Sequence, residues 1–548
     1  MSLARRLWHA LRLLALAGVA ACSGEAPPGG AAAAQASAGQ VAPAAPAPKV
    51  SRYAAARFLE QASFGPTEQD IDRVRTLGFA AWIDEQLALP PSLLDGRDAR
   101  HYDDFTNPKL RQTHFWDLVD RWHVAALTGP DQLRQRVSWS LSQFIVVSLV
   151  NNQPNGLFEY HNMLQRHGLG RYETLLKQVS LHAAMGEFLD NVGNRPPSFC
   201  AGCAANENYA RELMQLFSIG LVQLRPDGSV VRDAHGRPVE SYSQQDVADM
   251  ARALTGWSFD QRSPNEKYAY YGYPLVAADP LAHDGGSKTV LGTVFPAGQS
   301  AAQDLDQAMR VLVDHANTPP FVSLRLIQHL VASQPTPAYV SRVAAVFRDN
   351  GHGQRGDLAA VVKAVLLDPE ARRGDGGTDL RGSGKLREPL LFHTALLRGV
   401  GCRTVPRLAA TGQPMVPGQH PYVAPSVFGF YAPTDTAPGS NLLAPEQRLL
   451  IGEEFVGRLG NLRNVHVNWT GSTTKAGCDF APLRQAAAQS TAALVELISQ
   501  RWFRGAMPAA LRRSAESYWA LVRYFPRDEA ILALLLFALA SPHYGAIT

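Results

Sequence analysis

The residues best suited to chemistry gather in two stretches. The segment Asn206-Glu207-Asn208-Tyr209-Ala210-Arg211-Glu212 places amides, carboxylates, a guanidinium and a phenol within one short run. On a helix starting at 206, Asn208 and Glu212 lie four apart on one face, and Glu207 and Arg211 make a second such pair. One reading makes Glu212 a buried acid or metal ligand facing a pocket, with Arg211 a second catalytic group and Asn206, Asn208 and Tyr209 on the substrate. The competing reading makes Glu207 and Arg211 a helix ion pair and Asn206 a cap over the first turn. In the second stretch, His283-Asp284-Gly285-Gly286, a histidine and a carboxylate can bind metal or exchange protons. Its alternative is a turn in which Asp284 bonds its own backbone and the glycines take positive φ. A single catalytic centre requires Glu212, Asn208, Arg211, His283 and Asp284 to converge, although the two stretches are about 70 residues apart. His182, close in sequence to Glu187 and Asp190, is a site residue or a core histidine bonded to backbone. His161 and His167 are six apart and share no helical face.

Several familiar chemistries are missing. The sequence contains no His-Glu-x-x-His, no Gly-x-Ser-x-Gly elbow, no phosphate loop, no dinucleotide fingerprint and no Cys-x-x-Cys-His. No particular metal or cofactor is specified. The 52 basic and 48 acidic residues of the 548-residue chain give a net charge of +4, which makes no electrostatic case for nucleic acid as a partner.

The elements that must position these residues read as helices. Thr67 with Asp70 starts a helix that stops at Gly78, and Ser243 with Asp246 starts another that runs toward Gly256. Helical periodicity extends over 132–150, 171–189, 206–219, 302–315, 319–333, 338–349, 357–367, 386–399, 445–459, 483–503 and 527–541. Residues 222–242, with Asp227-Gly228 and His235-Gly236, suggest a small hairpin. Residues 258–300 and 401–444 lack helical period. The expected fold is therefore mainly α, a large helical body over 51–548 with small β-hairpin or irregular excursions. The aromatic runs Tyr268, Tyr270, Tyr271, Tyr273 and Phe428, Phe430, Tyr431 would suit an exposed docking patch if the protein is a binding module acting with an exported partner.

The N-terminus addresses the chain. Arg5, Arg6 and Arg12 precede the apolar run Leu13–Ala21, and the small residues Val19-Ala20-Ala21 end on Cys22. This is the pattern of a secretory signal over 1–21 whose cut exposes Cys22 for lipidation, and the run is too short to span a bilayer. Residues 22–50 form an Ala/Pro/Gly-rich linker able to reach on the order of 80 Å. Ser23, where an aspartate would favour the inner membrane, points to an outer-membrane lipoprotein facing the periplasm or the cell surface. Removing the three signal arginines leaves 49 basic against 48 acidic side chains, so the body is close to neutral. Export makes disulfides the default for Cys200, Cys203, Cys402 and Cys478, in any of three pairings. Cys200-Ala-Gly-Cys203 also admits a redox pair or half a metal site.

Five blocks together resemble the bacterial family known as domain of unknown function 1800. They are Arg57-Phe58-Leu59 with Ala62-Ser63-Phe64-Gly65-Pro66-Thr67; Leu181-His182-Ala183-Ala184-Met185-Gly186 to Leu189-Asp190-Asn191; Asn206 to Gly220; Ala251-Arg252-Ala253-Leu254-Thr255-Gly256-Trp257; and His283-Asp284 with Lys288 to Gly292. Ala183 stands where that family commonly has proline. The resemblance implies an exported protein and a partner from the exported domain of unknown function 1501 family. It implies no particular reaction.

Overall fold

Ser51, Thr67, Ser243, Ser300, Thr336, Asp357 and Ser490 each precede a run of helix-forming residues. In the computed structural model each of them accepts a hydrogen bond from a backbone N–H of the following first turn. Such caps satisfy donors that have no partner within the helix and contribute about 1 kcal/mol apiece. The structure describes residues 49–95, 108–149, 154–260, 273–377, 384–405, 419–450 and 477–547. Cys22, the signal and nearly all of the linker lie outside them, as do Tyr268, Tyr270 and Tyr271.

The chain is mainly α. The N-terminal helices are α1 (Arg52–Ala62), α2 (Glu68–Leu77), α3 (Phe79–Ala88), α4 (Pro108–Thr128), α5 (Gln132–Ser142) and α6 (Pro154–His167). The central ones are α7 (Tyr172–Ser180), α8 (Ala183–Phe188), α9 (Asn208–Gln215) and α10 (Gln244–Ala253). After the hairpin β1 (Lys288–Val290) and β2 (Thr293–Phe295) come α11 (Ala301–Asp314), α12 (Thr318–Leu330), α13 (Pro337–Arg348), α14 (Leu358–Leu367) and α15 (Pro369–Arg372). Strand β3 (Lys385–Leu386) leads into α16 (Pro389–Gly399), and α17 (Ala481–Gln489), α18 (Thr491–Trp502), α19 (Ala509–Val522), α20 (Arg527–Leu539) and β4 (Ala546–Ile547) close the chain. Both sheets are two-stranded and antiparallel, with Thr289 opposite Val294 and Lys385 opposite Ile547. Among the described residues no helix is long and apolar enough to cross a membrane.

Two apolar cores form. The larger joins α1–α14, and the smaller is built from α16–α20. Helix α16 serves both: Leu390 and Leu391 enter the first, while Phe392, Leu396 and Leu397 enter the second. The disulfide Cys402–Cys478 ties the end of α16 to the start of α17. Cys200 pairs with Cys203.

Some expected helices are divided. The periodic stretch 171–189 breaks into α7 and α8, because His182 Nδ1 accepts the Ala184 N–H at 3.2 Å and so caps a new helix. Ser490 likewise divides 483–503. The stretch 132–150 is helical only to Ser142, and 206–219 only from Asn208 to Gln215, after which Gly220 turns the chain at φ +74°. Residues 445–450 are 3-10 helix, and 451–459 lie outside the described residues. Residues 222–242 form two successive bridged turns, as their glycines suggest. Helices α1, α3, α4, α6, α15 and α19 were not anticipated, although Ser51 caps α1 and Asp368 caps α15.

A polar network crosses the larger core. Lys385 Nζ donates to Glu388 Oε1 at 2.6 Å, with both side chains at or below 1% exposure, and Gln419 donates to Glu388 Oε2 at 2.7 Å. The His329 carbonyl accepts from both Lys385 and Arg136. Burial alone would raise the Glu388 carboxyl, but Lys385, His329 and Gln419 hold it down at about 2. Its stabilising charge is therefore present above the ordinary carboxylate range and lost as pH falls toward 2. Glu388→Gln strands a buried ammonium and should cost about 3–5 kcal/mol at neutral pH in urea melts. A loss below about 1 kcal/mol would show that the pair is dispensable.

Candidate functional site

Helix α8 ends because the chain folds back on it. The N–H groups of Asn191 and Val192 both donate to the Gly186 carbonyl, and the preceding Asp190 sits at φ +58°, a region that favours glycine. This turn aims Asp190 outward, where its Oδ2 accepts from Asn208 Nδ2 at 3.0 Å. Asn194 then clamps the chain leading into α9. Its Oδ1 accepts the Asn206 N–H at 2.7 Å, and its Nδ2 donates to the Asn206 carbonyl at 3.3 Å. Asn206 Oδ1 in turn accepts the Asn208 N–H at 2.9 Å. These turns border an open cleft of about 550 Å³, lined by Glu187, Asp190, Asn194, Arg195, Cys203 and Asn206 among others.

The second motif supports this cleft from behind. His283 packs against Gly256, where a Cβ would lie 3.0 Å from His283 Cβ, and Gly256 takes φ +96°. The Gly256 N–H donates to the Asn194 carbonyl at 2.9 Å, and the Gly193 N–H donates to the Trp257 carbonyl at 2.8 Å. Both His283 ring nitrogens face oxygen acceptors, Nδ1 the Thr255 carbonyl at 3.0 Å and Nε2 the Asp304 carboxylate at 3.2 Å. Lys288 Nζ reaches the same Asp304 oxygen at 2.7 Å, with neither side chain exposed. Burial raises the Asp304 carboxyl, but the hydrogen bonds from His283 and Lys288 outweigh it and hold the group below its usual range. Arg252 forks onto Asp284 at 2.8 and 3.2 Å and also binds Asp249 at 2.7 Å. The Gly286 N–H closes a turn on Asp284 Oδ1. The His283 ring and the Asp284 carboxylate are thus both bound within the fold.

The sequence-predicted residues fall into three environments. Asn206 lines the cleft and Asn208 braces its wall, while Tyr209 is buried with its hydroxyl 2.6 Å from Ser180. Arg211 lies at the surface, bound to Glu207 at 2.8 Å and to Gln244 at 3.1 Å. Glu212 is half-buried one turn along α9. Its Oε2 has no hydrogen-bond partner, and burial raises its carboxyl despite the lowering effect of Arg211. The Tyr242 hydroxyl, also buried and without a partner, feels the Glu212 charge. Among the described residues no hydrogen bond or ion pair links Glu212 or Arg211 to His283 or Asp284, and none of the four lines the cleft. His182 is a core histidine, shifted down to about 4 by burial. Among the described residues, no group of three His, Cys, Asp or Glu side chains is arranged to hold a metal. Of the aromatic patches, Tyr273 and Phe428 are exposed, while Phe430 packs partly on the core and Tyr431 stacks on His329.

Sequence reasoning passed over Glu187, Asp190, Asn194 and Arg195 as site residues. The available signal was the loop itself, a polar Asp-Asn-Val-Gly-Asn run directly after an apolar helix. The family model described as Protein of unknown function (DUF1800) matches residues 57–545. The chain belongs to that family. The DUF1800 match contains every residue of the cleft and of the Asp304 network. Ala183, where proline is common in the family, is the first helical residue of α8, a position that accepts either. No curated protein and no solved structure matches this DUF1800 chain.

Proposed function

We propose that this DUF1800 protein is an exported envelope lipoprotein, anchored through Cys22 to the outer membrane, whose cleft binds a neutral, polyhydroxylated ligand of the glycan class. The observation that carries the reading is the composition of the cleft wall. Carboxylates from Glu187 and Asp190, the Arg195 guanidinium and the Asn206 amide set planar donors and acceptors around a cavity of small-molecule size. Such groups suit hydroxyls, which donate and accept at once. The Ala/Pro/Gly linker would hold the body away from the membrane, and an exported protein of the domain of unknown function 1501 family would act beside it. A second reading, hydrolysis of the bound ligand, is favoured by the presence of two carboxylates in one cleft, the groups that general acid and base catalysis needs. Neither reading invokes a metal.

The anchor is tested by labelled palmitate. The wild-type chain should incorporate it and fractionate with the outer membrane, and Cys22→Ser should do neither; a fully soluble, unlabelled wild type would refute the anchor. Ligand binding is tested by calorimetry with oligosaccharides released from bacterial envelopes. Asp190→Asn and Asn206→Ala should each weaken binding about tenfold, the loss of a good hydrogen bond. Equal affinity in both variants would move the ligand elsewhere.

A further inference from the structure

The loop 195–205 forms one wall of the cleft and contains a disulfide that closes only four residues. At its neck the loop is pinned by the Asn194 clamp on Asn206. Beyond the neck its own bonds are few. The Phe199 N–H donates to the Pro196 carbonyl, the Cys203 N–H donates to the Cys200 carbonyl, and the Arg195 guanidinium lies 4.3 Å from the Phe199 ring centre. Gly202 turns at φ +82°, and a Cβ there would meet nothing within 4 Å. The covalent link between Cys200 and Cys203 is therefore the main restraint on the outer half of this wall.

The two disulfides of the chain occupy contrasting places. Cys402 is 3% exposed within the second core and joins segments 76 residues apart, so breaking that bond frees a long loop and disturbs packed apolar side chains. Cys200 is exposed to solvent, and Cys203 is half-buried on the cleft wall. An exposed disulfide in a short turn is open to in-line attack by a thiolate and loses little chain order on reduction.

We propose that Cys200–Cys203 is an exchangeable redox pair that controls access to the cleft, with an exported dithiol as its partner. A partner thiolate attacks Cys200 Sγ, the accessible sulfur. The intramolecular S–S bond breaks, and Cys203 leaves as a thiolate that takes up a proton. The second partner thiol, deprotonated, attacks the mixed disulfide and releases Cys200, which is protonated in turn. The pair gains two electrons and two protons, and the partner becomes a disulfide. In the oxidised state the wall is held as a closed turn, and in the reduced state residues 196–205 keep their neck and a few local contacts but lose the covalent link across the outer turn. The proposal does not depend on which ligand the cleft takes.

The test uses the mature full-length protein equilibrated in glutathione buffers of graded ratio, quenched with acid, alkylated and digested for mass spectrometry. Cys200 and Cys203 should become alkylated together while Cys402 and Cys478 remain paired and near-ultraviolet circular dichroism is unchanged. The reduced-to-oxidised ratio of the first pair should exceed that of the second by more than about tenfold. Amide exchange over 196–205 should rise severalfold on reduction, and Cys200→Ser/Cys203→Ser should show the raised rate without reductant. If Cys200–Cys203 resists glutathione until Cys402–Cys478 is also reduced, the redox role is overturned. If the double variant exchanges as slowly as the oxidised wild type, the control of access is overturned even where exchange occurs.

Discussion

The geometry of the cleft depends on one buried carboxylate. Asp304 has no exposed surface, yet it receives His283, Lys288 and Gln299. Removing a carboxylate and an ammonium from water is expensive, and the cost is offset only when hydrogen bonds complete both groups. Asp304 meets that condition by drawing in donors from the 283–288 turn and from Gln299. His283 is thereby fixed against Gly256, which in turn donates to Asn194, and Asn194 clamps Asn206 at the cleft wall. A chain of contacts thus runs from an ion pair in the core to the polar surface of the site.

The same logic places the His283-Asp284 side chains in contacts within the fold. A histidine with both nitrogens committed and an aspartate forked by an arginine are positioned to hold a backbone. The groups left open to a ligand lie one layer further out, on the turn after α8 and at the start of α9. Between the two layers sits Gly256, whose positive φ and 3.0 Å approach to His283 leave no room for a side chain.

Much of the architecture was legible from local chemistry. Capping residues such as Thr67 and Ser243 marked helix starts because their side chains satisfy orphan donors in any context. The division of 171–189 was not legible, because a histidine acting as an N-cap is uncommon and apolar periodicity continues across it. The Glu207–Arg211 pair and the Asp284 turn follow from spacing alone, and both form, although Gly285 and Gly286 do not take the positive φ expected of them. What the sequence could not show was long-range: that Asp304 is the partner of His283 and Lys288, that Asn194 closes on Asn206, and that Tyr209 points into the core while Asp190 points out. Those relations come from packing between elements. The resemblance to the DUF1800 family named the right blocks without indicating which of their residues face solvent.

At the cleft wall the backbone amides of Asn206 and Asn208 donate to the side chains of Asn194 and Asn206. Hydrogen exchange at these two amides, measured under native conditions in Lys288→Met, tests whether the buried ion pair holds the cleft wall. Faster exchange by about tenfold or more, with the amides of α18 and α20 in the second core unchanged, is the result predicted from local loosening transmitted through His283 and Gly256. Unchanged exchange at Asn206 and Asn208 in the folded variant would contradict it.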